Sequence, residues 1–140
     1  MTTDADVMQA SLEAIAESHG DIVPLVYRRF YSEYPDTRHM FGRHELGVHQ
    51  GHMFNGMLLA VLEQAEGRCL EGSVKAWVQD HHLWGVKRPM FKAMFSALLE
   101  TIRECLGAAW ADSTEKAWRR QVGTLADRFD AACGTENACN

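Results

Sequence analysis

Residues 73–86 read SVKAWVQDHHLWGV, and this stretch decides the fold. A helix is predicted to begin with a cap at Ser73 and to be ended by Gly85. One face of this helix carries a stripe of side chains, namely Val74, Trp77, Val78 and His81. The stripe is apolar except for His81, while His82 points about 100° away from it. A histidine on an apolar face is either a hydrogen-bonded core residue or a ligand, and periodicity alone leaves both interpretations open.

Helical periodicity extends in both directions from this stretch. Three helices are predicted before it: one from the N-terminal Thr/Asp cluster to Gly20, one from Asp21 to Pro35, and one from about Glu45 to Glu66. Two are predicted after it: one from Pro89 to Gly107, and a last one that begins at a capping box of Asp112 and Glu115. Residues 36–42 are expected to form a tight corner. No segment has strand periodicity, so the sequence predicts an all-α fold of six or seven helices.

Length and composition exclude several classes of protein. The 140 residues fit one domain, which we expect to cover residues 1–133, followed by a flexible polar tail over 134–140. The net charge of -5 gives no patch suited to nucleic acid. The longest apolar run, residues 57–62, is too short for membrane insertion, and the N-terminus has no signal-like segment. Four cysteines without a CxxC pattern are interpreted as reduced thiols, and a cytoplasmic location is expected.

The other histidines were weighed as metal ligands. His19, His39 and His44 lie at predicted helix ends or in loops and are interpreted as solvated side chains. His49 and His52 are one helical turn apart, so the pair could bind a metal, but the sequence specifies no third ligand nearby.

Three motifs, in this order and spacing, resemble the globin family, specifically its bacterial single-domain and flavohaemoglobin branch. Residues 27–41, YRRFYSEYPDTRHMF, are similar to the second helix and the following corner, where a proline and a haem-stacking phenylalanine lie six residues apart. Residues 50–54, QGHMF, resemble the start of the distal helix. Residues 81–86, HHLWGV, resemble the proximal motif, in which the iron ligand stands four residues before a Gly-Val pair. The resemblance covers nearly the whole chain and implies a three-over-three helical sandwich around haem b.

The resemblance also implies roles on the proximal side of the haem. His81 would be the metal ligand, and its neutral imidazole would leave the opposite face of the iron open for a diatomic gas. The other cofactor contacts expected there are Phe41, which would stack on the porphyrin, with Trp77, Val86 and Phe91.

On the distal side, the resemblance implies that Tyr27 and Gln50 donate hydrogen bonds to bound O2. Phe54 would border the cofactor and crowd the gas ligand. The chain departs from flavohaemoglobins at two positions where those proteins have a tyrosine and a glutamate beside the proximal histidine. Phe91 and Cys133 stand there instead, so His81 is expected to be a weaker electron donor to the metal.

The implied function is reversible binding of O2, and of NO and CO, at a five-coordinate ferrous haem. It would serve O2 supply or NO detoxification. In the second case it would act as a nitric oxide dioxygenase that depends on a separate reductase, since no GxGxxG motif is present. One alternative is a six-coordinate redox or sensor protein with His49 or His52 as the sixth ligand, which is expected to need a helix rotation or local shift. Another is a haem-free helical interaction module. Either a monomer or a homodimer is compatible with the sequence.

Overall fold

The computed structural model describes residues 2–41 and 46–136, with side chains described for 2–39 and 49–134. These residues form six α-helices and no strand, which confirms the predicted all-α class. The helices are α1 (Asp4–Ser18), α2 (Val23–Glu33), α3 (Leu46–Ala65), α4 (Glu71–Leu83), α5 (Arg88–Leu106) and α6 (Asp112–Glu136). Short 3-10 helices span Pro35–Phe41, at the predicted corner, and Gly107–Ala109. No helix in these residues has the length and apolarity needed to cross a membrane.

The local signals at the start of the chain act as predicted. Thr3 and Asp6 form a capping box at α1: the Thr3 hydroxyl accepts from the Asp6 amide at 3.1 Å, and the Asp6 carboxylate accepts from the Thr3 amide at 3.0 Å. Pro24 lies in the first turn of α2, where its missing N–H costs no helical hydrogen bond. Asp21 supports the same helix start by accepting from the Val23 amide at 3.0 Å.

Two predicted helix starts are wrong, by three residues for α4 and by one residue for α6. α4 begins at Glu71 and not after a cap at Ser73, because the Leu70 carbonyl already accepts the Ser73 and Val74 amides. α6 includes Asp112 as its first residue, and the Ala111 carbonyl accepts the Glu115 amide at 3.0 Å. In both cases a main-chain carbonyl makes the first helical bond one position or more before the expected side-chain cap.

α6 continues through Glu136, past the expected domain limit at Cys133. The rest of the expected tail, residues 137–140, lies outside the described part of the chain. The limit between domain and tail stays a prediction.

The centre of the molecule is the contact between α5 and α6. α5 also contacts α1 and α2, and α6 contacts α1, α3 and α4. Several of the fully buried side chains belong to these two helices, among them Leu98, Ile102, Trp118 and Leu125. Because α3 and α4 both pack on α6 without contacting each other extensively, they leave space between them.

Candidate functional site

A cavity of about 330 Å³ lies in that space between α3 and α4. Its size falls in the range of roughly 300–1,000 Å³ that is typical of small-molecule and cofactor sites. The lining side chains are mainly apolar and come from every helix except α1. They are Phe30, Thr37, His52, Met53, Gly56, Met57, Ala60, Trp77, His81, Trp84, Val86, Met90, Phe91, Met94, Phe95 and Phe129.

A glycine, Gly85, allows the turn that ends α4. Gly85 has φ +91°, a conformation that a residue with a Cβ adopts only under strain. In this turn the Val86 amide donates to the His81 carbonyl at 3.0 Å, and the Gly85 amide donates to the His82 carbonyl at 2.9 Å. The chain therefore reverses directly after α4, and Val86 joins His81 in the cavity wall.

His81 is held by its own helix. Its Nδ1 lies 2.7 Å from the carbonyl oxygen of Trp77, one turn earlier. A carbonyl oxygen only accepts hydrogen bonds, so Nδ1–H is the donor, and in the neutral ring Nε2 carries the lone pair. This is the tautomer in which an imidazole binds a metal through Nε2 while its other nitrogen is hydrogen-bonded. His82 is not among the lining residues.

Aromatic rings surround His81. Trp84 and Phe91 approach the imidazole edge-on, with centroid distances of 5.4 Å and 5.7 Å. Phe129 packs against Phe91 at 5.4 Å and stacks with Trp77 at 6.1 Å. The structure thus brings together four of the predicted site residues in one wall: Trp77, His81, Val86 and Phe91.

Tyr27 and Gln50 lie together, but neither lines the cavity. The Tyr27 hydroxyl donates to the main-chain carbonyl of Gln50 at 3.3 Å, which is long for an O–H donor. The Gln50 side-chain amide donates to the Tyr31 hydroxyl at 2.5 Å. Burial, with a smaller contribution from Tyr31, raises the pKa of Tyr27 far above its usual value, so the phenol stays protonated. Tyr27 is one turn before Phe30, which does line the cavity.

The remaining two predicted contacts are placed differently. Phe54 is buried in the core, at 6% exposure, and is not among the cavity-lining residues. Phe41 ends a 3-10 helix, and its side chain lies outside the described residues. The roles expected for both side chains stay predictions.

One stripe of α3 forms the wall of the cavity that faces α4. This stripe was not predicted from the sequence. This α3 wall consists of His52, Met53, Gly56, Met57 and Ala60. His52 therefore lines the cavity, and the expected need for a helix rotation or local shift to bring it to the iron stays a prediction. Its spacing to the other members, at i+1, i+4, i+5 and i+8, is helical, but the same helix carries a second apolar stripe that includes Phe54 and Val61. His49, one turn before His52, is exposed at the start of the same stripe.

Comparison with known proteins agrees with these features. The model of the family described as Globin matches residues 25–129, which is three quarters of the chain. A flavohemoprotein from Rhizobium meliloti (strain 1021) is 24% identical over 124 residues, or 87% of this chain and 31% of that protein. A globin from Nerita albicilla is 24% identical over 105 residues, or 75% of this chain and 66% of that protein. The chain therefore spans about a third of the first relative's length.

The matched region includes every lining residue of the cavity and the helices α2 to α5 that frame it. The all-α architecture and the histidine beside Gly85 and Val86 agree with the motifs that suggested the family. This chain belongs to the globin family, a family of haem-binding proteins, and it has the all-α globin fold.

Proposed function

We propose that the protein holds haem b in the cavity between α3 and α4, with His81 as the iron ligand, and that it binds O2, NO and CO reversibly. The observation that carries this proposal is the hydrogen bond from His81 Nδ1 to the Trp77 carbonyl in the wall of an apolar cavity. The cavity fits the cofactor chemically, because aromatic and methionine side chains suit a flat macrocycle and one oriented imidazole suits its iron.

When bound, the haem iron supplies the open coordination position at which a diatomic gas binds. The chain supplies the surroundings. His81 presents Nε2 because Nδ1 is occupied by the Trp77 carbonyl, and Phe91 and Trp84 restrict the rotation of the ring. Met53 and Met57 on the opposite wall keep that side apolar, which disfavours water and charged species.

The hydrogen-bond partner of His81, the Trp77 carbonyl, favours reversible gas binding over cleavage of an O–O bond. A neutral carbonyl draws the Nδ1 proton less strongly than a carboxylate would, and Phe91 beside the ring offers no acceptor. Cys133, at the position matched to the flavohaemoglobin glutamate, is buried and does not line the cavity. His81 is thus a moderate donor, and strong donation by the axial ligand is what promotes cleavage of an O–O bond.

Polar selection of O2 is assigned to the part-buried cluster of Tyr27, Tyr31 and Gln50, which adjoins the cavity through Phe30, one turn after Tyr27. Tyr27 remains protonated, and its contact with the Gln50 carbonyl is long, so bound O2 would compete with that carbonyl for the proton. Bound O2 carries more negative charge than bound CO, so a nearby O–H donor would retain O2 selectively.

The physiological use that we propose is O2 supply or NO detoxification. In the second case NO and O2 combine to nitrate with the uptake of one electron, and a separate reductase would supply that electron. Cytoplasmic location fits either use.

The test is spectroscopic. Purified protein should take up one haem per chain, and its reduced form should have a five-coordinate absorption spectrum that changes on addition of CO. Failure of the folded apoprotein to retain haem would refute the proposal and favour a haem-free interaction module.

A second candidate is a six-coordinate redox or sensor globin, and one observation favours it. His52 already lines the cavity from the α3 wall, opposite the wall that holds His81. An imidazole there needs only side-chain rotation or a small shift of α3 to approach the iron. A reduced spectrum typical of two axial histidines would select this function over open-site gas binding.

A further inference from the structure

A second cavity, of about 470 Å³, lies on the other side of α2. It is formed where the end of α1 and the side of α2 meet the last turns of α5. The lining residues are His19, Leu25, Arg28, Arg29, Thr101, Glu104 and Cys105. None of them lines the cavity of His81, so the two sites are separate. His19 links the end of α1 to α5, because its Nε2–H donates to the Cys105 carbonyl at 2.9 Å.

Arg28 is the exceptional residue of this cavity. Its guanidinium has no hydrogen bond, ion pair or ring contact within the described residues. Each of the other described arginines has a carboxylate or aromatic partner; these are Arg29, Arg38, Arg68, Arg88, Arg103, Arg119, Arg120 and Arg128. In a chain with 19 acidic and 14 basic residues, carboxylates are abundant. Arg28 is an exposed arginine that lines a cavity and has no protein partner among the described residues, which points to an anionic ligand.

The charges around Arg28 do not cancel. Arg29 lines the same cavity and is paired with Glu104, the single carboxylate in the lining. One acidic group thus faces two guanidinium groups, which leaves a net positive charge at the cavity.

The floor of the cavity contains a second group without a partner. Thr101 is 2% exposed, and its hydroxyl makes no hydrogen bond within the described part of the chain. A buried hydroxyl without a partner is unfavourable, whereas helical threonines usually bond to a carbonyl of the preceding turn. The cavity thus combines a cation with a covered hydroxyl group, and neither has a protein partner among the described residues.

We propose that this cavity is a binding site for a small oxyanion of the phosphate type, either free phosphate or a phosphate monoester. Arg28 would provide the main charge-assisted hydrogen bonds and Arg29 additional positive charge, and a rotation of the Thr101 side chain would add its hydroxyl as a neutral donor. The adjacent Leu25 and Cys105 side chains leave space for a small apolar group attached to the oxyanion. The site requires no haem.

The proposal is tested with inorganic phosphate as the probe. Binding to the purified protein is measured by calorimetric titration, against chloride at constant ionic strength. Arg28→Gln is compared with Arg68→Gln, since Arg68 is an exposed arginine outside the cavity, paired with Glu66, and both changes remove one positive charge. Glu104→Gln removes the competing carboxylate.

Wild-type protein and Arg68→Gln should bind one phosphate per chain with equal affinity. Arg28→Gln should bind at least about tenfold more weakly, and Glu104→Gln should bind more tightly. Titration of wild-type protein with methyl phosphate distinguishes a monoester from free phosphate by their relative affinities. Absence of saturable binding, or an equal loss of affinity in Arg28→Gln and Arg68→Gln, would overturn the proposal.

Discussion

His81 Nδ1 lies 2.7 Å from the carbonyl oxygen of Trp77, one turn earlier in α4. The helix that carries the proposed iron ligand therefore also sets its tautomer and its orientation. Because the partner is a main-chain carbonyl, no substitution at Trp77 removes the acceptor. The orientation of His81 is consequently a property of the helix backbone, whereas a carboxylate partner from another helix would depend on tertiary packing.

The first prediction separates two adjacent histidines. His81→Ala should lose stable haem binding, or retain a haem whose spectrum is restored by added imidazole, because the small base can occupy the space of the missing ring. His82→Ala should keep a near-normal spectrum, since His82 does not line the cavity. Absorption spectra of the reduced proteins provide the measurement. Haem loss in His82→Ala together with retention in His81→Ala would reverse the assignment of the ligand.

The second prediction concerns Tyr27. Tyr27→Phe should raise the O2 dissociation rate about ten- to a hundredfold and leave CO dissociation nearly unchanged, because a hydrogen bond to a charged acceptor contributes roughly 1.5–3 kcal/mol. Rapid-mixing kinetics measure both rates. Tyr34→Phe is the matched control, because Tyr34 is the C-cap residue of the same helix and makes no hydrogen bond to Gln50 within the described residues. Identical O2 dissociation from Tyr27→Phe and Tyr34→Phe would exclude Tyr27 as the donor.

The third prediction addresses His52. If the reduced protein is six-coordinate, His52→Ala should convert it to the five-coordinate form and speed CO binding, because the competing ligand is removed. His49→Ala serves as the comparison, since His49 lies one turn earlier on the same stripe and is not among the cavity-lining residues. A six-coordinate spectrum that survives in His52→Ala and disappears in His49→Ala would assign the sixth position to His49.

The fourth prediction is a pH effect on stability. Arg88, which joins α5 to α6 through two hydrogen bonds to Asp130, holds the pKa of that carboxyl below its ordinary value of 3.8, with Lys92 contributing less. A lowered pKa means that the pair stabilises the fold above about pH 4 and that this contribution is lost as the pH falls through the folded-state pKa. Asp130→Asn should therefore lower the free energy of unfolding near pH 7.

The expected loss is under about 1 kcal/mol, because the pair is partly solvent-exposed. Urea unfolding at neutral and acidic pH measures it. The difference between Asp130→Asn and wild type should shrink with acidification, and a difference that stays constant with pH would show that the charge of Asp130 is not its cause.

The sequence predicts much of the side of the cavity that α4 forms, because the features that shape it are local in the chain. The spacing of Val74, Val78 and His81 selects one helix face, and those two valines are fully buried. Gly85 four residues after His81 marks the turn that brings Val86 to the cavity, because this turn needs a positive φ. Such signals operate within one or two turns of helix and do not depend on other elements.

The orientation of α3 was decided only by tertiary structure. This helix has apolar side chains around most of its circumference, so periodicity cannot tell which face meets the core and which meets the cavity. Packing against α1, α2 and α6 buries Phe54 and Val61 and turns His52 and Met53 toward His81. That Arg28 has no partner within the described part of the chain is likewise a tertiary result, because ion pairs between helices depend on how the helices pack and not on the order of residues along the chain.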